Sequence, residues 1–190
     1  MQSSTSFRKL TNSSKINEVG TFLISCSLFF TGTGLGILLH TLFPQPVRHA
    51  KQATFSFNML EIAGGNAEVI ITLSLGGFLL GIPTVISLIS NGVVFGVVVS
   101  SIVRDYGILV VLFTVLPHGI LEIGGICLAG MVGFRVTRAL LSLFLEWSPV
   151  STNGKEVWDW LAWLEISIGL ILVAATIETT VTPWLANRFL

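Results

Sequence analysis

Residues 92–125 read GVVFGVVVSSIVRDYGILVVLFTVLPHGILEIGG. The first part, residues 92–103, is apolar over only about half the length that a membrane span needs. Arg104 and Asp105 follow, then a second short run, YGILVVLFTVL, ends at Leu116. Pro117 breaks it, and residues 119–134 are apolar again up to Arg135 and Arg138. Short, broken apolar segments mark re-entrant or discontinuous helices, which lipid tolerates only where protein or a wet cavity surrounds them. The alternative fuses 106–134 into one kinked span. The residues alone leave both open.

The surrounding composition makes lipid the relevant solvent. The chain has 190 residues, of which 52% are hydrophobic and 11% charged. Its mean hydropathy is +0.85. Soluble domains carry about 25% charged residues. The formal charge is zero, without a basic or acidic block, so nothing points to nucleic acid. Cys26 and Cys127 lie in apolar stretches and read as small fillers; there is no CxxC and no zinc spacing.

Residues 1–19 read as a polar, solvated tail, and residues 20–190 as a single transmembrane domain. Residues 20–43 contain no charged side chain and are long enough to cross a hydrocarbon core of about 30 Å. Gly32, Gly34 and Gly36 invite a close helix neighbour. Residues 44–66 read as a polar connection; Glu61 and Glu68 flank a loop and read as solvated or interfacial. Residues 67–90 form the next span, kinked at Pro83, with Asn91–Gly92 as its end and turn. Residues 146–159 read as a polar loop, with Glu165 wet near a tryptophan-rich boundary. The last span covers roughly 160–182 and closes at Pro183. LEIAGG at 60–65 and LEIGG at 121–125 are alike, but their flanks do not align.

The expected fold is therefore all-α and polytopic in the membrane. It has four full transmembrane helices plus two short re-entrant or discontinuous half-helices, or five spans if 106–134 is continuous. With 92–116 as a hairpin returning to its own side, five Lys and Arg flank each face, and the positive-inside rule does not choose an orientation. The N-terminal cluster of Arg8, Lys9 and Lys15 favours a cytoplasmic N-terminus in the cell membrane.

His118 and Glu122 are the costly residues. Four apart, they share one helix face if Gly119 onward is helical. Pro117 suits the first turn, where its missing N–H is harmless. A carboxyl group at membrane depth must be protonated, paired or wet. Arg104 and Arg135 are candidate partners, Glu178 is a third polar group, and Asn91 is a candidate cavity residue. The pair reads as a structural lock at a helix break, as a proton or ion relay, or as a catalytic or metal pair. His40 and His49 are not at ligand spacing, so no metal or other cofactor is expected. Intramembrane peptidase chemistry would want a Ser/His dyad or paired mid-span aspartates. Asp105 and Asp159 are the only aspartates, and neither sits mid-span.

Three patches in order resemble the stage II sporulation protein M family: NGVVFG at 91–96, LPHGILEIGG at 116–125 and AATIETTVTP at 174–183. The resemblance implies that Pro117, His118, Gly119, Glu122 and Glu178 are the family-like positions. The sporulation member looks like a membrane scaffold that works with partners in wall remodelling. Some relatives accompany a MoxR-type ATPase and other membrane proteins. The expectation is a non-enzymatic scaffold or subunit of a membrane assembly, a homodimer through its glycine-rich faces, with other membrane subunits or an ATPase as partners. A small transporter with a His/Glu polar centre is the alternative, and an intramembrane enzyme the second.

Overall fold

The computed structural model describes residues 3–44, 59–145 and 154–189. Every regular element among them is a helix. They are α1 (Ser3–Leu42), α2 (Met59–Leu75), a 3-10 turn (Gly76–Leu79), α3 (Ile82–Tyr106), α4 (Ile108–Thr114), α5 (Leu116–Leu145) and α6 (Gly154–Phe189). Among the described residues, four stretches are long and apolar enough to cross a membrane: Glu18–Leu42, Ile82–Tyr106, Leu116–Phe144 and Gly154–Leu185. Only a helix satisfies every backbone group within its own segment in lipid, so even the glycine-rich runs stay helical.

Glycine sets the first packing. A Cβ on Gly32 or Gly36 would run into the backbone carbonyls of Ile89 and Val93. A Cβ on Gly92 or Gly96 would run into those of Phe29 and Thr33. Each helix thus presents a GxxxG face to the other. The paired residue numbers rise together, so α1 and α3 are parallel.

Parallel neighbours need a return leg, and α2 is that leg. It turns into α3 through Leu80 (φ 57) and Gly81 (φ 76), both left-handed. Pro83 then falls in the first turn of α3, where it breaks no hydrogen bond. Thr84 Oγ1 donates to the Leu73 carbonyl at 2.8 Å across the turn. Thr137 Oγ1, from α5, lies 3.2 Å from the Gly77 carbonyl and 3.0 Å from that of Gly133. A Cβ on Gly133 would collide with the Leu73 carbonyl, so the hairpin is pressed directly onto α5.

At the other end the chain reverses at Gly107 (φ 89). From there α4 and α5 form one kinked leg. Val115 N–H donates to Val111 and Gly119 N–H to Val115, at 2.9 and 2.8 Å, so the ladder carries through the break. Gly119 lies beside Phe95, Gly130 beside Leu88 and Gly133 beside Thr84, so this leg is antiparallel to α3. Then α6 runs back along α5, with Ser167 Oγ donating to the Gly125 carbonyl at 2.7 Å. The result is five legs: α1, α3 and α6 run one way, α2 and α4–α5 the other. The start of the α1 span and the end of α6 lie at opposite ends of the bundle.

Phe29, Leu73, Leu88 and Met131 fill the centre. The Cys26 and Cys127 thiols meet there in hydrogen-bond contact between α1 and α5. Because lipid is as apolar as leucine, what holds these helices together is close packing and hydroxyl-to-carbonyl bonds, not transfer from water.

The helical membrane architecture stands as read from the sequence, but its breaks lie elsewhere. Asn91–Gly92 is not a helix end. It sits inside α3, where Gly92 makes the seam and Asn91 Nδ2 donates to the Ser87 carbonyl at 2.8 Å. The segment expected as one span, 67–90, is instead divided at 76–81. The 92–116 hairpin is replaced by a helix running to Tyr106 and a reversal at Gly107, and the fused reading of 106–134 is the closer one. The backbone of α1 is already helical from Ser3, within the stretch expected as a tail. The connection expected over 44–66 gives way to helix at Met59, which puts Glu68 on α2 rather than beside a loop. Residues 45–58 and 146–153, with Arg48, His49, Lys51 and Trp147, lie outside the described residues. Pro183 does not close α6, which continues to Phe189.

Candidate functional site

The kink between α4 and α5 delivers His118 and Glu122 to the interior. Pro117 occupies the first turn of α5 and contributes no N–H to the ladder. Gly119 is buried against Phe95 with ordinary van der Waals room, so it is a packing residue. His118 is buried at 9% exposure, with Nδ1 3.3 Å from Thr182 Oγ1 of α6; the tautomer decides which of them donates. Thr182 Oγ1 also lies 3.4 Å from the Thr114 carbonyl of α4, a long contact. One turn further on, Glu122 is half-buried and its carboxyl accepts a side-chain hydrogen bond from Asn66 of α2. Glu178 of α6 is its electrostatic neighbour. Four elements, α2, α4, α5 and α6, therefore converge on one polar centre.

Its depth follows from α5. Arg135 marks one end of the bundle: its Nη1 lies 3.1 Å from Glu18 Oε1, and its guanidinium carbon is 6.0 Å from the centre of the Trp160 ring. A buried cation between a carboxylate and an indole face is a stable boundary anchor. Glu122 is 13 residues from Arg135, which places it roughly 20 Å inward at ~1.5 Å per residue.

His118, Glu122 and Glu178 lie in one interior region, with Pro117 and Gly119 next to His118 on α5. The other three do not join. Arg104 is exposed at the far end of α3, 3.6 Å from Asp105. Arg135 is committed to Glu18, at the end away from His118. Asn91 bonds along its own helix to Ser87. Asn66, Thr182 and Thr114 were missed. Asn66 directly precedes an apolar run, as a loop residue also would; the threonines show themselves only through their partners. Glu165 is exposed on α6, five residues inward of Trp160.

Exposed apolar side chains along a bundle of long apolar helices, with carboxyl groups in its interior, define a polytopic integral membrane protein. The chain belongs to the stage II sporulation protein M family, whose profile matches residues 25–183. It is similar to an uncharacterized protein of Methanocaldococcus jannaschii, MJ0793, at 32% identity over 135 residues, covering 70% of this chain and 76% of that protein. No solved structure matches the chain.

Proposed function

We propose that the protein is a non-enzymatic subunit of a membrane assembly, a rigid helical frame that docks other membrane proteins in the cytoplasmic membrane. The observation that carries this reading is the α1/α3 seam. Four glycines bring two backbones together, and any slide or rotation drives side chains into carbonyls. A frame of that kind suits holding partners in register. The test is native mass spectrometry of the protein drawn gently from its own membrane. A co-purifying membrane subunit or ATPase is the expected result; single chains or homodimers alone would overturn the reading.

A second reading is favoured by one observation, the Glu122–Glu178 neighbourhood beside His118. Two carboxyl groups at membrane depth are suited to holding a proton or a small cation between them. Under this reading, reconstituted vesicles show proton or cation flux that Glu122→Gln abolishes while the fold persists. Flux unaffected by that substitution rules the relay out.

The fold also revises the charge balance. Arg135 and Arg138 belong to the end that holds Arg8, Lys9, Lys15 and Lys155, which makes six. Among the described residues, Arg104 and Arg188 belong to the other end, which makes two. The positive-inside rule now favours a cytoplasmic N-terminus and a C-terminus on the opposite side.

A further inference from the structure

The outward face of α2 differs from every other lipid-facing surface. Where α1 shows Leu23, Phe30 and Leu38 and α3 shows Ile86 and Val94, the stretch of α2 from Gly64 to Ile70 exposes no large apolar side chain, and Ile71 and Leu75 follow it. Gly64, Gly65, Ala67, Glu68 and Thr72 take their place. A Cβ added to Gly64 or Gly65 would meet nothing within 4 Å.

Glu68 is the anomaly on this face. Its depth is bracketed by Asn66, which bonds Glu122, and by Leu73, which backs onto Gly133. It lies five residues from Leu73 along α2, about 8 Å further inward at ~1.5 Å per residue. Residues two apart on a helix point away from each other, so Asn66 faces in and Glu68 faces out. Glu68 is exposed and has no hydrogen-bond or ion-pair partner among the described residues. Hydrocarbon is a poor cover for a carboxyl group at that depth, and a basic group on a neighbouring helix would pair with it.

No described residue of a second copy supplies that group. Among the described residues, Arg104 and Arg188 lie at one end of the bundle and Arg8, Lys9, Lys15, Arg135, Arg138 and Lys155 at the other, so none of these falls at the depth of Glu68. The innermost at the Glu18 end, Arg135, is already taken by Glu18 and Trp160. His40 and His118 are buried. Two copies meeting here would set Glu68 against Glu68.

We propose that the outward face of α2 docks a transmembrane helix of a different membrane protein, one that carries a lysine or arginine at the depth of Glu68. The small residues beside Glu68 let the two backbones approach closely. The inference rests on the subunit reading and specifies the chemistry of the partner.

The test uses full-length protein extracted from its own membrane and weighed by native mass spectrometry. The wild type carries a second subunit whose sequence has a Lys or Arg inside an apolar stretch of at least about 18 residues. Occupancy falls at least tenfold in Glu68→Ala and in Gly65→Leu, and persists in Gly34→Leu, which fills equally open space on α1. Glu68→Lys combined with partner Lys→Glu restores it. Glu68→Gln, closer in shape, repeats the measurement if Glu68→Ala shifts the thermal transition. A subunit retained by Glu68→Ala, Glu68→Gln and Gly65→Leu overturns this surface and leaves the subunit reading standing. The absence of any second subunit overturns both. A homodimer in which Gly65→Cys cross-links to itself overturns the choice of partner.

Discussion

Gly36 of α1 sits beneath the Val93 carbonyl of α3, whereas Gly34, two residues away, faces open space. The two substitutions Gly36→Ala and Gly34→Ala therefore separate a packing glycine from a spare one. The first overpacks the seam and is expected to cost about 1–3 kcal/mol. The second is neutral, or gains up to about 1 kcal/mol of helix propensity. Thermal unfolding in detergent reads both; equal transitions would mean that the seam does not hold the two helices together. At the polar centre, Glu122→Gln keeps an acceptor for Asn66, while Glu122→Ala strands it at about 1–3 kcal/mol. The same thermal assay should therefore rank wild type close to Gln and well above Ala. A ranking in which Ala matches or exceeds wild type would mean that Glu122 is held for function at the expense of stability.

At the scale of elements, the meeting of Cys26 and Cys127 offers a direct check on how α1 lies against α5. Oxidation by copper–phenanthroline in membranes is expected to form one intramolecular disulfide, seen as faster migration without reductant and lost in Cys26→Ser. If no cross-link forms, the α1/α5 register is wrong. Hydropathy and length located the α1 span, the latter part of α5 and most of α6, because a long uncharged run has few alternatives in a bilayer. What they misplaced were the breaks. Gly92 after Asn91 carries the same residues whether it ends a helix or receives a neighbour's carbonyl, and only Phe29, 63 positions earlier, distinguishes the two. Pro83 is equally ambiguous between a kink and a helix start until the left-handed pair Leu80–Gly81 is seen. His118 and Glu122 were legible because their cost is local; Asn66 and Thr182 were not, because their value lies in partners on other helices.

For the whole molecule, five legs that all cross the bilayer would put the start of α1 and the end of α6 in different compartments. Single cysteines test this in intact cells with a membrane-impermeant maleimide. Arg188→Cys should label from outside, and Lys155→Cys only after permeabilisation. Labelling of both in intact cells, or of Lys155→Cys alone, would reverse or break the arrangement. A C-terminal reporter that works only outside the cytoplasm provides an independent check, and it should be active.

The parallel pairing of α1 with α3 also sets a timetable for biosynthesis. Ile89, which covers Gly32, is made 57 residues later, a delay of roughly 3–11 s at ~5–20 residues per second. Through that interval α1 sits in the bilayer with its glycine groove open, and α2 must cross back before the groove can close. A nascent chain stalled between Leu42 and Ile82 exposes that groove to any passing helix. The insertion machinery, rather than the finished bundle, is what has to guard it.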